Sequence, residues 1–137
     1  MIRYLIDTNV ISERRKGRRA NVGVQRWFLA NSSDLCALSV VTLGEIRRGI
    51  EDARRTDLAQ AIALESWLRK LEYTFQGQIL SVDAEIADKW GRLMSEHKLP
   101  DADGWIAATA SYYDLTVVTR NVADFERTGV RVLNPFS

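Results

Sequence analysis

Short apolar runs alternate with longer stretches of helical periodicity along this chain. Arg3-Tyr4-Leu5-Ile6 reads as a short strand that ends on the turn-prone Asp7-Thr8-Asn9, after which Val10-Ile11-Ser12-Glu13 begins a helix. Asp7 is thereby placed at a strand's carboxyl end. An amphipathic stretch around Val24, Trp27 and Phe28 leads to Leu35-Cys36-Ala37-Leu38, a buried strand, and then to a helix starting near Ser39 or Val40. Asp57 is positioned to cap a long helix reaching about Tyr73, with Leu64, Trp67, Leu68 and Leu71 spaced for burial. Ile79-Leu80 is a brief strand, and Asp83 caps a helix whose Ile86, Trp90 and Leu93 form a core stripe. Pro100 breaks the chain before a helix from about Ala102 to Tyr113. Leu115 to Thr119 and Val130 to Leu133 supply the last two strands.

Strands separated by helices call for parallel pairing through crossovers. The expected fold class is α/β, a three-layer α/β/α sandwich with a mainly parallel sheet of about five strands. Ligands of such open sheets bind beyond the carboxyl ends of the strands, where Asp7 and the segment after Thr119 fall. No repeat, low-complexity tract or linker interrupts the pattern, so residues 1–137 read as one domain.

Composition narrows the class. A chain of 137 residues, 46% apolar and 27% charged, suits an ordinary globular domain. The single cysteine, Cys36, has no partner for an internal disulfide, and Met-Ile-Arg leads straight into a strand, which points to a reducing, cytoplasmic location. No apolar run approaches the ~20 residues that span a bilayer, so no membrane association is expected. The formal charge of +1 gives no global pull toward nucleic acid. Local clusters do exist: Arg14, Arg15, Lys16, Arg18 and Arg19 lie close together, and Arg47-Arg48 and Arg54-Arg55 form pairs. Taken alone, each reads as a solvated face.

The absences remove most hydrolytic chemistries. His97 is the only histidine and is expected on a helix one turn beyond Leu93, so a zinc site and a two-histidine nuclease lack their imidazoles. No glycine-rich phosphate loop or dinucleotide fingerprint is present. Carboxylates remain. At about 100° per residue, the helix from Val40 to Ile50 shows an apolar stripe of Val40, Leu43, Ile46 and Ile50, with Glu45 on a neighbouring stripe beside Val41 and Gly49. Asp103 shares a stripe with Ile106, Ala107 and Ala110 at the rim of a buried face, whereas Asp101 suits the helix cap. Asp124 follows Thr119-Arg120-Asn121 in the loop after a strand. Each acid also has an ordinary reading: a solvated helix residue for Glu45, a first-turn acid for Asp103, a turn residue for Asp124. If three or four converge, each pair at ~4 Å and an effective dielectric of 20 costs about 4 kcal/mol, and such a cluster needs cations. Oxygen ligands without imidazole or thiolate suit Mg²⁺ or Mn²⁺, which engage phosphates, so the natural substrate is a phosphodiester.

LIDTN at 5–9, GEIRRGI at 44–50, PDADGWIAATA at 100–110, TRNVADF at 119–125 and VLNPF at 132–136 occur in order at suitable spacings. Together they make the whole chain resemble the PIN-domain toxins of the virulence-associated protein C (VapC) type, particularly the branch of fast-intracellular-trafficking protein B (FitB). The resemblance implies an endoribonuclease acting through Mg²⁺ or Mn²⁺ held by Asp7, Glu45, Asp103 and Asp124, supported by Thr8, Asn9, Thr119 and Asn121. Asn121 stands where some relatives carry a further acid, which leaves Asp124 to bind metal either directly or through water. It also implies the toxin of a type II toxin-antitoxin pair, assembled as a dimer or higher oligomer with a small antitoxin and reaching DNA only through that partner. In that setting Arg14, Arg15, Lys16, Arg18, Arg19, Arg47 and Arg48 are expected to track an RNA backbone.

Two other functions use the same residues. Asp7 as the nucleophile of a phosphoaspartate-type phosphatase is one, although Asn9 supplies an amide where such enzymes usually carry a second acid. The other is a non-catalytic RNA- or protein-binding module on the same fold.

Overall fold

The structure, a computed structural model, describes residues 1–137. In chain order its elements are β1 (Tyr4–Ile6), α1 (Thr8–Arg14), α2 (Val22–Ala30), β2 (Cys36–Ser39), α3 (Val40–Arg54), α4 (Leu58–Thr74), β3 (Ile79–Leu80), α5 (Ala84–Glu96), α6 (Asp101–Tyr113), β4 (Thr116–Val118), α7 (Val122–Glu126) and β5 (Val132–Leu133). Single 3-10 turns lie at Gly17–Arg19 and Ser33–Leu35.

All four strand pairings are parallel, and the order across the sheet is β3-β2-β1-β4-β5. Tyr4 pairs with Cys36 on one side and Thr116 on the other, and Ile6 pairs with Val118. The chain thus winds outward from β1 in one direction and then crosses to the opposite side for β4. The strand order reverses at β1, and open sheets of this kind take their ligands beyond the carboxyl ends of the strands at such a point, here β1 and β4.

Period-two alternation sorts the strand residues onto two faces. Ile6, Cys36, Leu38 and Val118 pack with Val10 and Ile11 of α1, Val24 of α2, Ile46 and Ile50 of α3, and Leu68 and Leu71 of α4. On the other face, Leu5, Ala37 and Val117 meet Ile106, Ala107 and Ala110 of α6 and Phe125 of α7. α5 lies against α6, where Trp90 and Trp105 stack at 4.3 Å between ring centroids. This is the expected three-layer α/β/α sandwich with five strands, all of them parallel.

Several caps act as their sequence positions suggest. The Asp57 and Asp83 carboxylates accept from the backbone N–H groups of Gln60 and Ile86, and Ser39 accepts from Val41. Four local expectations fail. Asp101 is not a cap: Pro100 takes that position, and Asp101 lies inside the first turn, where its charge still complements the helix dipole. His97 is not helical, because α5 ends at Glu96 and His97 is extended. Val40, placed on the core stripe of α3, is 38% exposed, while Thr42 is buried instead, so the buried face is turned toward α1. The loop expected after β4 contains α7, anchored by the buried Phe125.

The last four residues lie on the start of α2. Asn21 caps that helix, and its side-chain oxygen also accepts from the Ser137 N–H at 3.0 Å. A Cβ on Gly23 would come within 2.4 Å of the Pro135 carbonyl oxygen, whereas one on Gly91 of α5 would meet nothing within 4 Å. The same substitution therefore has opposite signs. Gly91→Ala should stabilise by about 1 kcal/mol through helix propensity, and Gly23→Ala should destabilise by about 1–3 kcal/mol through overpacking. Thermal or denaturant melts of the two variants check the pair.

Candidate active site

Asp7 follows β1 directly and is only 3% exposed. Its backbone N–H donates to the Val118 carbonyl at 2.9 Å, which extends the β1–β4 ladder and fixes the residue between the strands. As N-cap of α1 it accepts from the Thr8 N–H through Oδ1 at 2.8 Å. Its Oδ2 accepts from the Thr119 hydroxyl at 2.7 Å and from Asn9 Nδ2 at 3.1 Å. Burial raises its pKa above the ordinary carboxylate value, and the nearby Glu45 charge adds to the rise, while the three donors oppose it.

The other acids are tied to Asp7 by short polar links. Thr8 Oγ1 donates to Glu45 Oε1 at 2.6 Å and is hydrogen-bonded to the buried Thr42 hydroxyl at 3.1 Å. The Thr119 hydroxyl oxygen accepts from the Asn121 N–H at 2.9 Å, and Asn121 Nδ2 donates to Asp103 Oδ2 at 2.9 Å. A continuous chain therefore runs Glu45–Thr8–Asp7–Thr119–Asn121–Asp103, joining α3, α1, the end of β4 and α6. Asn9 braces its centre, because its Oδ1 accepts from the Arg120 N–H at 3.1 Å while its Nδ2 donates to Asp7.

Asp103 carries the electrostatic signature of this arrangement. Burial first, then the Asp7 charge, and more distantly Asp124 and Glu45, push its pKa up to about 6, against the lowering effect of Asn121. Asp124 is different. It lies in the first turn of α7, its Oδ1 accepts from Arg127 Nη2 at 2.7 Å, and no hydrogen bond joins it to the chain that links the other acids, although its charge raises the Asp103 pKa.

The arrangement matches a known family. The PIN-domain model matches residues 4–130. The chain belongs to the PIN-domain family. Within it the relatives are VapC-type proteins. The VapC ribonuclease Y4jK of Sinorhizobium fredii is 30% identical over 96% of this chain and 96% of its own length. The crystal structure of FitAcB from Neisseria gonorrhoeae superposes with a TM-score of 0.86 at 33% identity, covering 96% of this chain and 97% of that one. A toxin-antitoxin complex from Klebsiella pneumoniae matches with a TM-score of 0.73 at 28% identity, covering 98% of each chain.

The donor set of this PIN domain fits a hard divalent cation. It consists of oxygens alone, and Asp7 Oδ1 accepts one hydrogen bond, which leaves it a free lone-pair direction. As the side chains stand, no three Asp, Glu, His or Cys residues are grouped so as to hold a metal ion. A cation here would therefore take one or two carboxylates and complete its shell with water, as Mg²⁺ does. A surface hollow of about 840 Å³ lies at the opposite end of the sheet near Ile2, Tyr4 and Arg131, with Asp114 as its one acid.

The basic residues divide into two groups. Arg47 is held by Glu65 in a two-pronged pair with both distances 2.7 Å, and by Glu51 at 3.2 Å; Arg54 joins the same network. The arginines hold Glu65 down to about 2. Arg47 is thus neutralised in place, while Arg48 is exposed with no ion-pair partner. Lys16 pairs with Glu13 at 2.8 Å. Arg14 lies over the Phe28 ring at 4.8 Å and Arg15 over Trp67 at 5.7 Å, and both are exposed, as are Arg18 and Arg19 in the turn after α1. Sequence patterning missed Thr42, a polar residue one and two turns before the buried Ile46 and Ile50, and Arg120, whose only signal was its place between Thr119 and Asn121.

Because its folded-state pKa is raised, Asp103 favours folding while protonated and loses that contribution as pH rises from about 4 through 6. With divalent ions stripped by a chelator, Asp103→Asn should therefore exceed the parent protein in stability by roughly 1 kcal/mol at pH 7.5, allowing for solvent screening. At pH 4.5 the two should nearly coincide. Thermal melts at the two pH values read the crossing directly.

Proposed function

We propose that this PIN domain is a divalent-metal-dependent endoribonuclease, the toxin of a toxin-antitoxin pair. The observation that carries the reading is the hydrogen-bonded chain Glu45–Thr8–Asp7–Thr119–Asn121–Asp103, which links three acids from three different helices and strand ends at the point where the strand order reverses. The domain's similarity to a VapC ribonuclease and to a chain of a toxin-antitoxin complex supports the assignment.

Asp7, Glu45 and Asp103 would hold Mg²⁺ or Mn²⁺, with Asp124 reaching it through water while Arg127 keeps its carboxylate. The bound cation would supply an activated water and would stabilise charge developing on the phosphodiester. The chain's own part is positioning. Thr8 holds Glu45 in one orientation, Thr119 and Asn9 fill Asp7 Oδ2 so that Oδ1 is left for the cation, and Asn121 points Asp103 inward. The antitoxin would bind as a protein partner, bringing DNA contact with it, and the domain would associate as a dimer or larger assembly.

The geometry disfavours the phosphatase reading. Asn9 donates to Asp7 Oδ2 at 3.1 Å and supplies an amide where such an enzyme needs a second acid to protonate the leaving group.

Purified protein freed of any antitoxin should cut a mixed RNA pool in Mg²⁺ or Mn²⁺ and stop in EDTA. Asp7→Asn should lower the rate at least about a hundredfold. Divalent metal should also raise the melting temperature of the parent protein more than that of Asp103→Asn, since metal relieves repulsion in the folded state only. Cleavage indifferent to EDTA and to Asp7→Asn, or covalent phosphate on Asp7 after incubation with phosphomonoesters, would overturn the assignment. RNA binding without any cleavage would favour a non-catalytic module.

A further inference from the structure

Arg120 lies between two residues that serve the acids and does not serve them itself. Thr119 donates to Asp7 and Asn121 donates to Asp103, but the Arg120 guanidinium turns away and lies 4.7 Å above the ring of Phe136. No carboxylate forms an ion pair with it, in contrast to Arg47, Arg54, Arg92, Arg127 and Arg131. Its backbone N–H is fixed at the acidic centre through Asn9, at 3.1 Å. One end of Arg120 is thus tied to the support of Asp7, and the other carries a charge that forms no ion pair and is felt by Glu13, which Lys16 already pairs.

The ring beneath it is held in place. Phe136 packs against the larger core cluster, and its N–H donates to Asn134 Oδ1 at 3.0 Å. The next residue is clamped to α2: Asn21 Nδ2 donates to the Ser137 carbonyl at 3.1 Å, and the Gly23 N–H donates to Ser137 Oγ at 3.1 Å. A guanidinium placed over an aromatic face still has N–H groups to donate, and such groups match phosphate oxygens two at a time. An acidic centre repels an RNA strand, so a fixed cation beside it offsets repulsion where the strand must approach.

We infer that Arg120, mounted on the ring of Phe136, grips a phosphate of a bound RNA strand, with Phe136 as its positioning residue. The inference rests on the ribonuclease reading for the identity of the ligand.

Binding is measured on Asp7→Asn protein with a labelled, mixed-sequence, single-stranded RNA oligonucleotide across a salt series, and cleavage kinetics with Asp7 intact in Mg²⁺. Arg120→Ala should weaken binding roughly tenfold, the worth of one charge-assisted hydrogen bond. It should also flatten the dependence of log K on log salt by about 0.7, the increment for one phosphate on a single strand. In turnover it should raise KM with kcat altered less than about threefold, as expected for uniform substrate binding. Arg120→Lys should recover the salt dependence and only part of the affinity. Phe136→Leu keeps apolar bulk against the core and should lose part of the affinity at unchanged melting temperature, with Phe136→Tyr recovering it. Asp7-dependent cleavage with Arg120→Ala indistinguishable from the parent in KM, affinity and salt dependence overturns the inference and leaves the ribonuclease reading intact. Arg120-dependent binding without cleavage does the reverse, and no RNA binding at all overturns both.

Discussion

A carboxylate buried at the end of the central strand is the constraint on which the other features of this PIN domain depend. Asp7 has lost nearly all contact with bulk water. An ionised group in that position costs several kcal/mol unless donors replace the lost hydration. Three donors do so: the Thr8 N–H, the Thr119 hydroxyl and the Asn9 amide. Each comes from an element that the sheet topology brings to β1. α1 begins immediately after the strand, and β4 pairs beside it, so Thr119 emerges next to Asp7. A strand order that separated β1 from β4 would strand the charge.

The same constraint explains the spread of strain across the site. Asp103 lies on a separate helix, yet its pKa is pushed up to about 6 by burial and by Asp7. Like charges held close without compensation are unfavourable, and folded proteins tolerate them mainly where function requires it. The polar chain from Glu45 to Asp103 keeps the acids oriented despite their repulsion. It does so with hydroxyls and amides, which can hold a carboxylate in place without neutralising it.

Cations are distributed to match. Remote arginines are spent on acids: Arg47 and Arg54 knit α3 to α4 through Glu51 and Glu65, and Arg131 holds Asp114 at the far end of the sheet. Exposed pairs of this kind contribute little stability each. Arg14, Arg15 and Arg120 are instead laid on aromatic rings that pack against the larger core cluster. A ring beneath a guanidinium helps to hold it without an ion pair, and Arg3 over Tyr4 at the far end of the sheet shows the same device away from the acids.

What the sequence determined by itself was whatever a short window encodes. Alternating and 3.6-residue periodicity marked all five strands and most helices, and Asp57 and Asp83 announced their helices because a cap acts over three residues. The run of strand and helix also implied parallel pairing, and the acids could be singled out because imidazole and thiolate chemistry was missing. Where two local rules competed, the window was insufficient. Pro100 displaced Asp101 as cap, α7 formed in a presumed loop because Phe125 had a core to enter, and on α3 the expected stripe held at Leu43, Ile46 and Ile50 but Val40 stayed exposed while Thr42 was buried against Thr8. Only the tertiary structure decided which acids are linked, that Asp124 is turned to Arg127, that Arg47 is neutralised by a glutamate eighteen residues away, and that Arg120 rests on Phe136. Those outcomes depend on contacts between residues distant in the chain, whose free energies no periodicity records.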